Sequence, residues 1–252
     1  MTLSCLVFLG LSPLLAQAQS PTIETVSPPA ESIAKVSVRE LQIPRKAREA
    51  FNKGTDLLSA NQPAASIPEF QRAIKAFPEF YEAHYKIGLA NLNLHRYDQA
   101  QSAFETSIEV SNGRYPPSQF GLGLVLCAKK QYDEAVEAVR AGLDQYPADA
   151  AGNFTLAWIL FSAGRLSEAE KSARQAVLTN ANLASAYLLL AQIHLRQSDL
   201  RAVVSELDAY LRLDPGGPHN TQALALRSEA QRILAKRQGT EPVLAETPVP
   251  KQ

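Results

Sequence analysis

The chain has 252 residues, of which 46% are hydrophobic and 20% charged, a composition typical of a protein that buries an apolar core. Its 25 lysines and arginines are balanced by 25 aspartates and glutamates, and no run of one sign exceeds three residues. This even distribution argues against a broad nucleic-acid surface, which requires clustered cations.

The first eighteen residues are predicted to be a signal peptide. They carry no charge, contain an apolar run from about Leu3 to Leu15, and end in Ala16-Gln17-Ala18, the small-x-small pattern that signal peptidase cleaves. The run is too short to span a bilayer, which needs about 20 apolar residues. We therefore expect cleavage after Ala18 and a periplasmic or secreted protein. Because Cys5 would be removed, Cys127 would remain without a disulfide partner.

Residues 19–43 are predicted to form a disordered or extended lead-in. Within it, the stretch 35–43 alternates apolar and polar residues, with an offset of one residue before Leu41, a pattern that fits a short strand. The alternative is an extended arm packed on the element that follows. Pro44 comes next and suits the first residue of a helix.

The dominant feature of the sequence is a pattern that returns about every 34 residues. Each unit contains two amphipathic helical patterns separated by a turn. Five such units follow one another: 47–80, 81–115, 116–149, 150–183 and 184–217. The one extra residue of the second unit falls near Gly113, in a stretch typical of a loop.

Matching positions of the units hold residues of matching size. Small residues recur in the first helix, where they let the neighbouring helix approach closely: Gly54, Gly88, Gly123, Ala157 and Ala191. Large residues in the second helix are predicted to fill the gap between helices: Phe70, Phe104, Val139 and Leu207. Three polar residues near the start of second helices are predicted N-caps: Asp98, Asp133 and Ser167.

From about Pro44 to Pro215, this set of positions resembles the tetratricopeptide-repeat family. The resemblance implies an all-α fold, a right-handed helical-hairpin solenoid of about five tetratricopeptide repeats. The departures are local: Ser66 stands where a small Ala is usual, and Ala173 where a bulky residue is usual. We therefore expect the fold to be retained along all five units.

After the repeats, residues 218–238 are predicted to form a capping helix. Its apolar residues share one stripe: Ala223, Leu226, Ala230, Ile233 and Leu234. A solenoid needs such a helix because its last repeat would otherwise leave an apolar face in water. The Pro-rich, polar residues 239–252 are predicted to be a disordered tail.

The sequence contains no convincing catalytic, cofactor or metal site. Gly121-Leu122-Gly123 lacks the third glycine and the preceding strand of a dinucleotide-binding fingerprint. Cys127 has no His or Lys in its own turn to lower its pKa, and the glycosylation sequon at Asn153 lies in the middle of a helix. The histidines show no metal-ligand spacing: His84, His95, His194 and His219. We therefore predict a protein that is not an enzyme and carries no cofactor.

The family resemblance implies a partner-binding groove, because the first helix of each tetratricopeptide repeat lines a concave face. Helical periodicity then selects nine contact residues: Phe51, Tyr85, Leu89, Phe120, Leu124, Phe154, Trp158, Leu188 and Gln192. The alternative is that part of this apolar stripe belongs to the core. The groove interpretation is favoured most for Phe154 and Trp158.

The expected partner is a protein or a peptide. Some family members clamp a C-terminal carboxylate with Lys, Asn and Arg, but the matching positions here hold Phe51, Thr55, Lys86 and Leu89, so that clamp is missing. An apolar or amphipathic peptide, such as a helix laid in the groove, is the predicted ligand. Two other functions stay open: a carrier for a small hydrophobic or glycan-lipid ligand, and a self-assembling structural module that forms homo-oligomers.

Overall fold

The computed structural model describes residues 42–237, in which eleven α-helices and no strand occur. The helices are α1 Arg45–Ser59, α2 Pro63–Ala76, α3 Tyr81–Asn93, α4 Tyr97–Val110, α5 Pro116–Ala128, α6 Tyr132–Leu143, α7 Ala150–Ser162, α8 Leu166–Thr179, α9 Ala184–Arg196, α10 Leu200–Leu213 and α11 Asn220–Arg237. The predicted signal peptide (1–18), nearly all of the lead-in (19–43) and the predicted tail (239–252) lie outside the described residues. The predicted all-α architecture of helical hairpins is confirmed for the part that is described.

The described residues divide into two compact units between residues 181 and 182. The first unit contains four antiparallel pairs, α1–α2, α3–α4, α5–α6 and α7–α8, and each pair contacts the next along the chain. The first helices also contact one another, α1 with α3, α3 with α5 and α5 with α7. In the second unit α9 pairs with α10, and α11 packs on α10.

Each of the five hairpins turns at a residue with a left-handed backbone. The turn residues are Asn61, His95, Lys130, Gly164 and Ser198, with φ of 57°, 55°, 62°, 77° and 63°. The N–H of the next residue donates to a carbonyl five residues earlier, as from Gln62 to Leu57 at 2.9 Å, which is the Schellman pattern. Only Gly avoids the steric penalty of this conformation, so four side-chain-bearing residues are held there by the packed hairpin.

The predicted N-caps of three second helices are wrong: Asp98, Asp133 and Ser167. Each lies inside its helix, because α4, α6 and α8 begin at the apolar residue before it. The Schellman turn leads directly into the next helix, and the two carboxylates then lie in the first turn, where the helix dipole favours negative charge. Helix α10 differs, since the side chain of Asp199 accepts a hydrogen bond from the Ala202 N–H at 3.1 Å.

The predicted fillers of the gap between helices are confirmed: Phe70, Phe104, Val139 and Leu207 are fully buried. A Cβ atom at Gly54 would lie 2.8 Å from the ring of Phe70, and one at Gly88 would lie 2.5 Å from the ring of Phe104. A Cβ atom added at Gly121 in α5 would also lie 2.5 Å from the ring of Phe104. The absence of side chains at Gly88 and Gly121 therefore lets three helices close around one ring.

The ends of the described chain are also packed. Ile43, the last residue of the predicted lead-in, is buried with Ala47 and Phe70 in the core of the first repeat. Neither Gln42 nor Ile43 is in a strand. At the other end, α11 packs through its predicted stripe, because Leu226 and its buried neighbours join the core cluster of α10.

Candidate protein-interaction surface

The nine predicted contact residues fall into two groups. Four are half-buried: Phe51, Phe154, Trp158 and Leu188. Five are at most 9% exposed: Tyr85, Leu89, Phe120, Leu124 and Gln192. These five side chains pack mainly inside the helical layers and expose little area to a partner. Leu188 and Gln192 belong to the second unit, and the other seven belong to the first.

Two of the buried aromatic residues show why their positions are closed. The ring of Tyr85 lies 5.7 Å from that of Phe104 and 5.4 Å from that of Tyr115, and burial raises the pKa of the Tyr85 hydroxyl well above its usual range. The ring of Phe120 fills space beside Gly142, whose Cβ position lies 2.5 Å away. Tyr85 and Phe120 therefore belong to the core, which was the alternative interpretation of the apolar stripe.

Phe51 also contributes to packing, although it is half-buried. Its ring stacks on Phe80 with a centroid distance of 4.7 Å and lies 5.7 Å from the ring of Phe70. Both partners belong to the core of the first repeat. Phe154 and Trp158 are therefore the residues of the first unit that best fit an open apolar contact surface.

One face of α7 forms this surface, which we call the Trp158 face. It consists of Ala151, Phe154, Trp158 and Ser162, four half-buried residues spaced by three or four positions and therefore aligned along the helix. Phe161 supports it from the buried side, with a ring centroid 6.2 Å from that of Trp158. The result is a short apolar strip with an aromatic centre.

The polar groups around this strip are turned toward their own helix. The Ser162 hydroxyl donates to the Trp158 carbonyl at 2.9 Å, and the Thr155 hydroxyl donates to the Ala151 carbonyl at 2.8 Å. Within residues 42–237, the indole N–H of Trp158 donates to no acceptor. The Trp158 face can therefore pack an apolar side chain and donate one hydrogen bond from the indole, and its four residues include no carboxylate, amine, imidazole or thiol.

Lys86 on α3 is a further candidate contact residue, which the sequence analysis considered only in excluding the carboxylate clamp. Its side chain is half-buried, and burial lowers the pKa of its ammonium group. It lies on the same helix face as Glu82, Leu89 and Asn93, at intervals of three or four residues. The helical register with Leu89 was the signal in the sequence that could have identified it.

The remaining groups of the described chain that could react or bind a metal are either buried or too far apart to act together. Burial raises the pKa of the Cys127 thiol, and a hydrogen bond with Ser162 opposes this only in part. Asn153 is buried, and its amide donates to the carbonyls of Pro147 and Asp149, so the folded sequon is closed to glycosylation. Residues 42–237 contain no group of three His, Cys, Asp or Glu side chains placed to hold a metal ion.

No helix within residues 42–237 combines the length and apolar content that are needed to span a bilayer.

Two family models match the chain, and both describe the tetratricopeptide repeat. One matches residues 51–100 and 85–150, and the other matches residues 126–193. Together they extend over more than half of the 252 residues. The chain therefore belongs to the tetratricopeptide-repeat family. No curated protein matches its sequence.

Solved structures show the same fold at low sequence identity. The thermophilic tetratricopeptide-repeat protein TTC0263 of Thermus thermophilus is 20% identical, with a TM-score of 0.63 over 75% of this chain and 98% of that one. PilF of Pseudomonas aeruginosa is 15% identical, with a TM-score of 0.66 over 77% and 87%. YrrB, described as a protein with an unusual peptide-binding site, is 17% identical, with a TM-score of 0.51 over 77% and 95%. These similarities identify a helical-hairpin solenoid.

Proposed function

We propose that this protein is a non-catalytic scaffold that binds a protein or peptide partner on the Trp158 face, outside the cytoplasm. The observation that carries the proposal is a half-buried tryptophan at the centre of an apolar helix face whose hydroxyl groups are satisfied internally. Exposed apolar patches on folded proteins mark contact sites, and tryptophan is among the residues that dominate binding energy. Tetratricopeptide-repeat proteins commonly act as interaction scaffolds, which supports the same conclusion.

The chemistry of the Trp158 face indicates the kind of ligand. An apolar side chain of the partner packs against Phe154 and Trp158, while a backbone or side-chain oxygen accepts the indole N–H. A peptide provides both groups within a few residues. The description of YrrB as having an unusual peptide-binding site supports a peptide ligand, because that protein shares the fold.

Photo-crosslinking tests where the partner binds. With p-benzoylphenylalanine in place of Ser162, we expect the chain to crosslink a specific protein or peptide in its source cells, identified by mass spectrometry. The same group in place of Gln175, an exposed residue of α8, provides a matched control and should not crosslink that species. Identical products from both positions, or none from Ser162, would contradict the proposal.

Trp158→Ala should weaken binding of the crosslinked partner at least about 30-fold, equivalent to about 2 kcal/mol, because it removes the aromatic centre of the surface. Isothermal titration calorimetry measures this change. Leu178→Ala is the control for loss of apolar area, since Leu178 is 79% exposed on α8, and it should change the affinity less than twofold. Equal affinities of wild-type protein and Trp158→Ala would exclude the Trp158 face as the site.

The location outside the cytoplasm is proposed from the predicted signal peptide. We expect the protein recovered from the periplasmic or secreted fraction to begin at Gln19, as measured by intact mass and N-terminal sequencing. Ala18→Arg should block processing, because signal peptidase requires a small residue before the cleaved bond. Recovery of a chain that retains residues 1–18 in the cytoplasmic fraction alone would refute this location.

A further inference from the structure

Lys86 is a partly desolvated cation without a counter-ion in the described chain. Burial is the only influence that shifts its pKa, although Glu82 lies one helical turn earlier, and no hydrogen bond or ion pair joins Lys86 to any of residues 42–237. Two other lysines of the first unit are paired with carboxylates: Lys53 with Glu69 at 2.9 Å and Lys129 with Asp98 at 3.0 Å. A half-buried ammonium group without a partner is stabilised when a ligand brings a negative charge to it.

Lys86 and the Trp158 face lie on corresponding sides of two first helices. Trp158 occupies in α7 the position that Leu89 occupies in α3, eight residues after the first residue of each helix. Leu89 is buried, but Glu82 and Asn93 of α3 are not, and they occupy the positions of Ala151 and Ser162 in α7. Lys86 lies four residues after Glu82 and seven before Asn93, so it shares their helix face. Helix α3 contacts α5, and α5 contacts α7, which places both sites on one row of first helices in the first unit.

The helix spacing sets the distance between the two sites. Packed helices lie about 8–10 Å apart, so two steps along the row span about 16–20 Å. An extended peptide covers this distance with about five or six residues at about 3.3 Å each. A helical peptide needs about 11–13 residues at about 1.5 Å each.

We infer that the partner segment carries an Asp or Glu side chain that pairs with Lys86 and, about 16–20 Å away, an apolar side chain that packs on the Trp158 face. This inference deepens the proposed function and rests on it. A carboxylate fits better than a phosphate group, because a phosphate carries about two negative charges and the same face offers Glu82 instead of a second cation. The ligand is therefore an acidic amphipathic peptide.

Selection from a displayed library of random peptides, each about 16 residues long, tests the inference. On the wild-type chain, we expect enrichment of an acidic residue about five or six, or about 11–13, positions from an aromatic or aliphatic residue. Peptides selected on the Lys86→Glu variant should carry Lys or Arg in place of the acidic residue, at the same spacing. On Lys86→Gln the charge preference should disappear. Lys75→Glu, at an exposed position of α2, should enrich the wild-type pattern.

A peptide enriched on the wild-type chain should bind Lys86→Glu at least about 10-fold more weakly, and the loss should shrink at high salt. Circular dichroism and thermal unfolding of each variant establish that it is folded. If wild-type protein, Lys86→Glu and Lys86→Gln all enrich the same sequences, and Trp158→Ala enriches none of them, the inference is overturned and the proposed function stands. If wild-type protein and Trp158→Ala enrich the same sequences, or neither enriches any, both are overturned.

Discussion

Replacement of Phe104 by alanine is expected to destabilise the first unit by about 3–5 kcal/mol. The ring is fully buried, and it contacts the backbone of two helices at Gly88 and Gly121 as well as the ring of Tyr85. The cavity left by the substitution cannot be filled from the glycine side, because those residues have no side chain to move into it. Denaturant unfolding of the purified chain measures the loss as a lower free energy of unfolding.

A double substitution distinguishes this packing from a general effect of a smaller side chain. Gly88→Ala alone should destabilise, because its Cβ atom would lie 2.5 Å from the Phe104 ring. In the Phe104→Ala background the same methyl group enters the cavity and adds helix propensity, so it should stabilise by up to about 1 kcal/mol. Leu178→Ala, at an exposed site, should stay within about 0.5 kcal/mol of wild type. Additive effects of Gly88→Ala and Phe104→Ala would contradict the contact.

Leu226→Asp is expected to destabilise the second unit by at least about 3 kcal/mol. Leu226 is 3% exposed and belongs to the core cluster that contains Leu207 and Tyr210 of α10. The substitution removes apolar burial and places a carboxylate in that cluster. Native-state hydrogen exchange, followed by mass spectrometry, should show faster exchange in α9, α10 and α11, because the method reports the stability of separate regions.

The same helix provides a matched control for this substitution. Leu224 is 48% exposed and lies two residues before Leu226, on a different side of α11. Leu224→Asp should therefore change the free energy of unfolding by no more than about 0.5 kcal/mol. Similar exchange rates in the two variants would mean that α11 does not cap α10 through its predicted stripe.

The repeat architecture was predictable because each unit places residues of similar size at matching positions of its two helices. Small residues at Gly54 and Gly88 and large ones at Phe70 and Phe104 recur about 34 residues apart and meet in the structure as predicted. These contacts lie within or between neighbouring units, where local helix periodicity already aligns the side chains. The apolar stripe of α11 was predictable for the same reason.

The hairpin turns were less accessible to sequence reasoning. His95 and Lys130 adopt a left-handed backbone that their residue types do not favour. The hydrogen bonds of the Schellman pattern and the packing of both helices hold them there. Because these turns lead directly into the next helix, the polar residues predicted as N-caps lie inside the helices.

Two equivalent phenylalanines of the first helices separate what the sequence predicts about the contact surface from what tertiary packing decides. The sequence alone placed Phe120 and Phe154 at the same position of their first helices and made both candidates for partner binding. In the structure the ring of Phe120 is buried because Gly142 and Gly152, from a second helix and from the next repeat, leave room for it, whereas Phe154 stays half-buried beside Trp158. Helical periodicity therefore determined which face each residue occupies, and tertiary packing decided which side chains that face leaves open, because exposure depends on the size of residues far away in the chain.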